Sequence, residues 1–447
     1  MIQELCLFLL EMTAYYFLSI NIAYGVLLIL SWMKITRFKM RTRKQKTPEH
    51  MPAVSFVIPA FNEESLIVET IQTYSSLKIV KEIIVINDGS HDKTFKLLQT
   101  MFQLQKTEGS DVLYRSITQP ELKVLEAPRM GKAQALNFGI EHAQYEVICT
   151  MDADTIPEIR GVETCLAAFA HDNKLVAAGG VIQVLNSHTL KNNAPLSEKA
   201  SKWLPTFQRI EYLRAFVCER LGWSFIGSTV LISGAFCMVK KAALKRVGGF
   251  NARSITEDLD LVIRLRREYQ GEKHHFKILP VTTCYTQAPG SLKHLRRQRT
   301  RWQMGLVQTL FNNLSLFLHP GHGLLGLFAI PYYWLVEVLS PIMEMTAFIV
   351  VPMALYMNWV SMELVLTYLG IGLLFNIVIT LIGIHLDNKY VSRAKNYSYI
   401  KSIFHTLFLH IGYKQLTSLW RLCANFKALS KNKSWGEKPR EEIVHQA

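Results

Sequence analysis

The stretch Glu146-Val-Ile-Cys-Thr-Met-Asp-Ala-Asp154 carries the strongest structural signal, because an apolar run of strand length ends there in two carboxylates. Val54-Ser-Phe-Val-Ile-Pro59 and Glu82-Ile-Ile-Val-Ile-Asn87 are further apolar runs. The remaining pattern predicts a short strand at Leu122 to Leu125 and helices that include Leu97 to Gln105 and Lys132 to His142. Alternating strands and helices predict an α/β domain over residues 53 to 287, with a mostly parallel sheet and ligands at the carboxyl ends of its strands.

Three of these predicted strands end in polar clusters: Asn62-Glu63-Glu64, Asn87-Asp88-Gly89-Ser90 and Asp152-Ala153-Asp154. Asn62 is predicted to be the N-cap of the helix that follows the first strand. Asp152 and Asp154 are one residue apart, so together they can bind a hard divalent cation that also holds a diphosphate. Taken alone, each cluster is also typical of a solvated turn, and Asp88 fits an Asx-type turn.

A further acidic cluster, Thr256-Glu257-Asp258-Leu259-Asp260, precedes a predicted helix over Leu261 to Tyr269. One interpretation is structural, with Thr256 as the N-cap and Glu257 and Asp258 in the favourable first turn. The other is catalytic, because a carboxylate at this place can act as a general base on an acceptor hydroxyl.

Gln298, Arg301 and Trp302 have the spacing i, i+3, i+4 and therefore share one face of a predicted helix. An amide, a guanidinium and an indole on one face suit a sugar acceptor and a diphosphate leaving group. The same segment has an apolar stripe surrounded by arginine and lysine, which is typical of a helix in the membrane interface. The two interpretations are compatible.

Long apolar segments flank the α/β region. Met12 to Met33 has 22 residues without a charge, enough to cross a hydrocarbon core of about 30 Å. The basic cluster after it, between residues 34 and 46, predicts that the following domain is cytoplasmic. Further spans are predicted near Ser340 to Leu355 and over Leu364 to Leu386.

Two features of the C-terminal region leave alternatives open. Glu337 and Glu344 lie inside an apolar segment, which indicates either a polar cavity or pairing between helices. Residues 403 to 424 are apolar but hold several basic side chains, so they either cross the membrane or form a re-entrant or interfacial helix pair broken near Gly412.

Composition excludes several classes of protein. The 447 residues are 49% apolar and 19% charged, which excludes a disordered chain. The formal net charge of +15 is attributed to membrane topology and anionic lipid, and no nucleic-acid partner is expected. Seven scattered cysteines without a CxxC argue against a zinc knuckle or a disulfide scaffold. The sequence also lacks GxxxxGK[ST], HExxH and GxSxG motifs.

In order along the chain, Asp88, Asp152-x-Asp154, Thr-Glu-Asp258 and Gln298-x-x-Arg301-Trp302 resemble the motifs of the processive family 2 membrane glycosyltransferases. Cellulose, hyaluronan, chitin and poly-N-acetylglucosamine synthases belong to that family. The resemblance covers roughly residues 52 to 310 and is closest to bacterial exopolysaccharide synthases of the poly-N-acetylglucosamine type.

The resemblance implies an α/β fold in which a GT-A type, Rossmann-like glycosyltransferase domain is inserted between transmembrane α-helices. The expected divisions are a transmembrane helix and basic segment (1–50), a cytosolic GT-A domain (51–290), an amphipathic interfacial helix (291–322), transmembrane and interfacial helices (323–426) and a basic tail (427–447). The expected location is the inner or plasma membrane, with several passes.

The implied function is inverting, processive transfer of a UDP-activated sugar into a β-linked exopolysaccharide of the biofilm kind, which passes through the membrane helices. N-acetylglucosamine or a related hexosamine is the favoured sugar. Mg²⁺ or Mn²⁺ is the implied cofactor, and the implied partners are the UDP-sugar, the growing polysaccharide and membrane lipid. The resemblance leaves room for a small membrane accessory subunit. The alternatives are a single-addition transferase acting on a membrane lipid and a non-catalytic export subunit.

The resemblance also implies roles for individual residues. On the donor side these are Pro59, Ala60 and Glu63 at the uracil and ribose, Asp88 at the nucleoside, Lys132 near the nucleotide, and Asp152 and Asp154 at the metal and diphosphate. On the acceptor side they are Asp258 as the base with Glu257 beside it, Arg301 at the leaving diphosphate, and Gln298 and Trp302 as substrate-binding residues.

Overall fold

The computed structural model describes residues 1–44, 48, 50–75, 79–191, 194–198, 203–270, 275–392 and 398–430. The strands are β1 (Val54–Ala60), β2 (Glu82–Asp88), β3 (Leu104–Lys106), β4 (Leu113–Ser116), β5 (Leu122–Ala127), β6 (Val147–Met151), β7 (Thr155–Pro157), β8 (Leu175–Val184), β9 (His188–Lys191), β10 (Ala194–Glu198), β11 (Phe236–Lys240) and β12 (His275–Thr286). The α-helices are α1 (Ile2–Lys44), α2 (Ile67–Ser75), α3 (Thr94–Met101), α4 (Lys132–His142), α5 (Ile159–His171), α6 (Trp203–Leu213), α7 (Leu221–Phe225), α8 (Lys241–Arg246), α9 (Glu257–Glu268), α10 (Leu292–Asn312), α11 (Ile330–Tyr332), α12 (Ser340–Tyr356), α13 (Met362–Leu386), α14 (Tyr399–Phe408) and α15 (Lys414–Leu429).

The described residues divide into two compact units. Those within Phe38–Ala200 and Thr229–Ala288 form the first, which contains the sheet and is called the sheet unit below. Those within Met1–Arg37, Ser201–Ser228 and Pro289–Pro439 form the second, which is helical and is called the helical unit.

A ten-stranded sheet in the order β3-β4-β5-β2-β1-β6-β11-β8-β12-β7 forms the core of the sheet unit. Its central strands β5, β2, β1 and β6 are parallel, as predicted. The prediction of a mostly parallel sheet is wrong outside these four strands. There β8 and β12 are parallel, but β11 runs antiparallel to both β6 and β8, and β3, β4 and β7 also pair antiparallel. The parallel arrangement follows from strand–helix–strand crossovers, and the chain reaches β11 from the helical unit instead of through such a crossover.

The central strands lie where the apolar runs predicted them, within two residues at each end. All seven residues of β2 and all ten of β8 are buried, and a strand buried on both faces gives such a continuous apolar run. Helix α4 has the predicted bounds. Helix α3 ends earlier than predicted, because Gln103 has a φ of 46° and the chain leaves the helix before β3.

An ion pair between Glu82 and Lys123 is buried at the amino ends of the parallel strands. The Glu82 carboxylate accepts hydrogen bonds from the ammonium of Lys123, the hydroxyl of Ser55 and the backbone N–H of Gln144. Because these partners come from β5, β1 and the loop before β6, one carboxylate joins the amino ends of four neighbouring strands. The side chain of Glu82 is only 2% exposed, so this carboxylate has a structural role.

Among the residues that the structure describes, three helical stretches are long and apolar enough to cross a membrane: Ile2–Lys44, Leu325–Tyr356 and Met362–Val391. They include the segments that the sequence predicted as spans. Between α14 and α15 the chain breaks at Ile411 and Gly412, whose φ values are −113° and +88°, so the break predicted near Gly412 is confirmed. All seven cysteines are free, as expected.

Candidate functional site

The candidate site lies at the carboxyl ends of the four parallel strands. Because β5, β2, β1 and β6 run in the same direction, the loops that follow them meet at one edge of the sheet. Those loops contain the polar clusters after β1, β2 and β6, together with residues 128–131 before α4. The polar clusters thus lie at the edge of the sheet where the sequence predicted them.

Side chains brace the loops after β1 and β2 against each other. Asn62 has a φ of 54° and accepts a hydrogen bond from the backbone N–H of His91 at 2.9 Å. The prediction that Asn62 is an N-cap is therefore wrong, since its side chain joins the two loops and α2 begins only at Ile67. The carboxylate of Glu64 likewise accepts from the N–H of Lys93 at 2.9 Å.

The residues expected at the uracil and ribose lie at the edge of the sheet where these two loops are joined. Pro59 is partly exposed, whereas the side chains of Ala60 and Glu63 are buried. The backbone N–H of Glu63 donates to the hydroxyl of Thr94 at the start of α3, at 2.8 Å. The structure thus places these residues together at the end of β1, and their role towards a nucleoside stays a prediction.

Asp88 organises the loop that leads into α4. Its carboxylate accepts from the backbone N–H of Met130 at 2.7 Å and of Gly131 at 3.1 Å, and it is paired with the guanidinium of Arg129. That guanidinium lies over the ring of Phe61, 3.5 Å from the ring centroid. Asp88 is only 2% exposed, and its carboxylate is occupied by contacts with this loop. Nothing in the sequence pointed to Arg129.

Lys132, the first residue of α4, joins two of the predicted acidic clusters. Its Nζ lies 2.6 Å from Oδ1 of Asp152 and 2.8 Å from Oε1 of Glu257. Burial disfavours the ammonium ion, but these two carboxylates outweigh burial and raise the pKa of Lys132. Lys132 is therefore cationic throughout the physiological pH range.

Asp258 lies beside this cluster in the first turn of α9. Its Oδ2 accepts from the backbone N–H of Gly234 at 2.9 Å, and its Oδ1 accepts from its neighbour Leu259 at 2.9 Å. Burial and the charge of Glu257 raise the pKa of Asp258 above its ordinary 3.8, against the opposing effects of Lys132 and the two N–H donors. Asp258 is thus a carboxylate that two backbone N–H groups hold in place and that is more basic than usual.

Gly234 allows this arrangement. A Cβ at that position would lie 3.3 Å from Nζ of Lys132 and 3.4 Å from the Asp258 side chain, so a larger residue would push into the cluster.

The Asp152-Ala153-Asp154 loop is fixed through its middle residue. Ala153 is buried, and its carbonyl accepts from the hydroxyl of Thr70 on α2 at 3.0 Å. The flanking carboxylates of Asp152 and Asp154 are partly exposed. Anchoring the alanine leaves an aspartate on either side at the edge of the sheet.

The Asp152-Ala153-Asp154 loop suits a hard divalent cation. Among the described residues, no group of three His, Cys, Asp or Glu side chains could hold a metal ion. A closed site of the zinc type therefore does not fit. Mg²⁺ and similar hard cations are commonly held by one or two carboxylates together with substrate phosphates, and Asp152 with Asp154 offers that set of oxygens.

Two contacts that the sequence did not reveal hold the segment before α9. The side-chain amide of Asn137 on α4 donates to the carbonyl of Phe250 at 2.8 Å and accepts from its N–H at 2.7 Å. The guanidinium of Arg264 donates to the carbonyls of Val247 and Gly249 at 2.7 and 2.8 Å. Both contacts fix the glycine turn that precedes the acidic cluster.

Thr256 does not cap α9. It precedes the first helical residue, but its side chain makes no capping hydrogen bond, and its hydroxyl oxygen is buried without a partner among the described residues. Thr256 thus occupies the predicted N-cap position but contributes no capping hydrogen bond. Helix α9 begins at Glu257, so the prediction that Glu257 and Asp258 occupy the first turn is confirmed.

Gln298, Arg301 and Trp302 lie on α10 in the helical unit, and all three are partly exposed. Oε1 of Gln298 is buried without a hydrogen-bond partner in the described part of the chain. Arg299, which the sequence did not single out, lies 4.7 Å from the ring centroid of Trp302 and 2.6 Å from the carboxylate of Glu211 on α6. The structure thus confirms that these residues occupy one helix.

Comparison with protein families gives a match to the model described as Glycosyl transferase family 2, over residues 55–247. The match contains the loops after β1, β2, β5 and β6 and ends before Glu257 and Asp258.

Two curated relatives have a similar sequence. The chain is 28% identical over 290 residues to a poly-β-1,6-N-acetyl-D-glucosamine synthase of Staphylococcus aureus, which is 64% of this chain and 63% of the relative. It is 29% identical over 267 residues to the protein of the same name from Staphylococcus epidermidis, covering 59% of this chain and 57% of the relative. The chain thus spans about three fifths of the length of these relatives.

Among solved structures, the mannosyltransferase PcManGT from Pyrobaculum calidifontis, in complex with GDP-Man and Mn²⁺, has a similar fold. The TM-score is 0.59 at 17% sequence identity, and the likeness covers 93% of this chain and 99% of that one. The predicted fold class is confirmed. Residues 55–247 match the glycosyl transferase family 2 model, the fold is that of a GT-A glycosyltransferase, and the described residues include candidate transmembrane helices.

Proposed function

We propose that the chain is a processive, inverting glycosyltransferase that polymerises a UDP-activated sugar into a β-linked exopolysaccharide. The observation that carries the proposal is the cluster of Lys132, Asp152, Glu257 and Asp258, in which one ammonium group contacts two carboxylates beside a third. The similarity to staphylococcal poly-β-1,6-N-acetyl-D-glucosamine synthases supports N-acetylglucosamine or a related hexosamine as the sugar.

On the donor side, the cluster offers both signs of charge that a sugar diphosphate with its cation requires. The ammonium of Lys132 stabilises the diphosphate, and Asp152 and Asp154 would hold Mg²⁺ or Mn²⁺. The metal ion would supply Lewis-acid stabilisation of the charge that develops on the leaving group. The Mn²⁺ in the archaeal mannosyltransferase supports a divalent cation. Pro59, Ala60 and Glu63 border the nucleoside, and Asp88 positions the loop before Lys132.

In the transfer step, Asp258 acts as the general base. The acceptor hydroxyl oxygen forms a bond to the anomeric carbon while the bond from that carbon to the diphosphate oxygen breaks. The electron pair leaves with UDP, and the hydroxyl proton moves to Asp258. A single displacement inverts the anomeric centre, so an α-linked donor gives a β-linked product. The N–H groups of Gly234 and Leu259 hold both oxygens of the Asp258 carboxylate in place.

On the acceptor side, we assign Trp302 and Gln298 to the growing sugar chain and Arg301 to the leaving diphosphate. The product would pass through the membrane helices, and the basic cluster after residue 33 favours a cytoplasmic sheet unit. Membrane lipid is a further partner, and a small membrane accessory subunit is compatible with this scheme.

The test is a screen of UDP-sugars for UDP release by the detergent-purified protein, followed by sizing of the radiolabelled product. We expect release from UDP-N-acetylglucosamine and a polymer ladder. A single glycolipid would support a single-addition transferase instead, and the absence of UDP release from every donor would support a non-catalytic export subunit.

A further inference from the structure

The candidate span Leu325–Tyr356 contains a break in its backbone hydrogen bonding. Residues Tyr333–Leu339 form a π-helical turn, and Pro341 follows within the first turn of α12. A proline lacks an N–H and clashes with the carbonyl four residues before it, which here belongs to Glu337. In an apolar segment without water, such a carbonyl needs another donor.

Side chains from two other helices supply donors at this break. The carbonyl of Glu337 accepts from Nε2 of Gln303 at 2.9 Å and from Nη2 of Arg421 at 2.6 Å. The next carbonyl, that of Val338, accepts from Nδ2 of Asn425 at 2.8 Å. We call Gln303, Arg421 and Asn425, with these two carbonyls, the carbonyl clasp.

The donors of the clasp also bind one another. Oε1 of Gln303 accepts from Nε of Arg421 at 2.9 Å, and Nε2 of Gln303 donates to Oδ1 of Asn425 at 2.8 Å. Arg421 reaches the carboxylate of Glu337 at 2.6 Å as well. Gln303 and Asn425 are 4% and 6% exposed, so their amides have no solvent to replace these bonds.

The clasp therefore fixes α10 at a defined point. Gln303 directly follows Trp302 and lies two residues after Arg301. Each residue turns a helix by about 100°, so a shift of one residue at Gln303 would turn the face of Arg301 and Trp302 away from its direction. A shift of one residue would bring Trp302 or Met304 to the clasp, and neither side chain has both the N–H groups and the oxygen that the amide of Gln303 offers.

We infer that the carbonyl clasp is a positioning device that sets the register of α10, and through it the direction in which Arg301 and Trp302 extend from that helix. The inference rests on the proposed function. Gln303, Arg421 and Asn425 are positioning residues in this account, and they touch neither substrate.

The first test compares Arg421→Met with Lys427→Met, an exposed cation on the same helix α15. UDP affinity should stay within about twofold of the unmodified protein in both. Polymer formation from UDP-N-acetylglucosamine, per folded molecule, should fall roughly 10- to 100-fold in Arg421→Met only, the scale for a misplaced reacting group. Equal losses in both variants, or none in Arg421→Met, would overturn the inference.

The variant Pro341→Ala restores a backbone N–H that can donate to the carbonyl of Glu337. It therefore distinguishes a role of Arg421 in positioning α10 from a role in satisfying that carbonyl. In Pro341→Ala/Arg421→Met the melting temperature should recover while polymer formation stays low. Recovery of both would reduce Arg421 to a structural role and overturn the inference.

Melting temperatures, which do not depend on catalysis, test this inference separately from the proposed function. The melting-temperature losses of Gln303→Leu and Arg421→Met should add to more than the loss in the double variant, because both variants break the same network. Additive losses would refute the clasp even in an active protein. If no UDP-sugar is turned over, the proposed function fails, and smaller-than-additive losses would still support the clasp.

Discussion

The parallel strands of the sheet carry a lysine–carboxylate pair at each end, and the two pairs differ in almost every other respect. At the amino ends, Lys123 and Glu82 are 8% and 2% exposed, and the carboxylate bonds to three different partners. At the carboxyl ends, Lys132 and Asp152 are 31% and 34% exposed. The same two kinds of charged group, an ammonium and a carboxylate, thus occupy a closed environment at one end and an open one at the other.

The balance of charge explains the difference in role. Glu82 faces one lysine and neutral donors, so that pair is complete without a ligand. Lys132 contacts Asp152 and Glu257, and Asp258 lies beside them, so carboxylates outnumber the cation at an exposed edge. An excess of charge at an opening indicates a binding site, whereas a buried matched pair indicates a structural contact.

The largest effect should come from the carboxyl ends. Asp152→Asn or Asp154→Asn should reduce UDP release by roughly 10³-fold or more and weaken donor binding, because each removes a ligand of the proposed cation. Chelation by EDTA should have the same effect on the unmodified protein. Asp172→Asn, which removes a carboxylate paired with Lys277 and His275, is the control and should retain turnover. Full activity in EDTA would contradict the metal assignment.

At the amino ends, a substitution should lower stability and leave turnover unchanged. Glu82→Gln leaves the ammonium of Lys123 buried without its counter-charge, and such a change typically costs about 3–5 kcal/mol of folding free energy. The melting temperature should fall clearly, while turnover per folded molecule stays normal. A stable Glu82→Gln protein with lost turnover would reverse the proposed roles of the two ends.

A smaller effect concerns pH. The base must be ionised to accept a proton, so the rate should fall as pH decreases through the pKa of Asp258, which burial and Glu257 raise above 3.8. Below that pKa the rate should decrease about tenfold per pH unit. In a pH–rate profile, this acid limb should be absent from the residual activity of Asp258→Asn. If the limb is unchanged in that variant, it belongs to another group.

The sequence predicted the central strands and α4 well because they are buried on both faces or strictly periodic. It also singled out Asp152 and Asp154, which follow an apolar strand, and Asp258, which lies in an acidic cluster, and the roles of these carboxylates stay predictions. It could not find Arg129 or Gly234, whose importance depends on neighbours distant in the chain.

Two predictions depend on neighbours that are distant in the chain. Local rules favoured an N-cap at Asn62, but its side chain accepts a hydrogen bond from the N–H of His91 instead. For Glu337, the sequence left open a polar cavity or pairing between helices. Its ion pair with Arg421, 84 residues further along the chain, supports pairing between helices. Long-range contacts of this kind have no signature in the order of residues.

The most direct test of the proposed catalytic cluster is turnover by Asp258→Asn, measured with UDP binding and thermal melting on one detergent-purified sample. Asparagine keeps the size of the side chain but cannot accept the acceptor's proton. The account predicts nearly unchanged UDP affinity and melting temperature, with turnover lower by roughly 10²-fold or more. Normal turnover with a lowered melting temperature would contradict it and leave Asp258 as a structural residue at the start of α9.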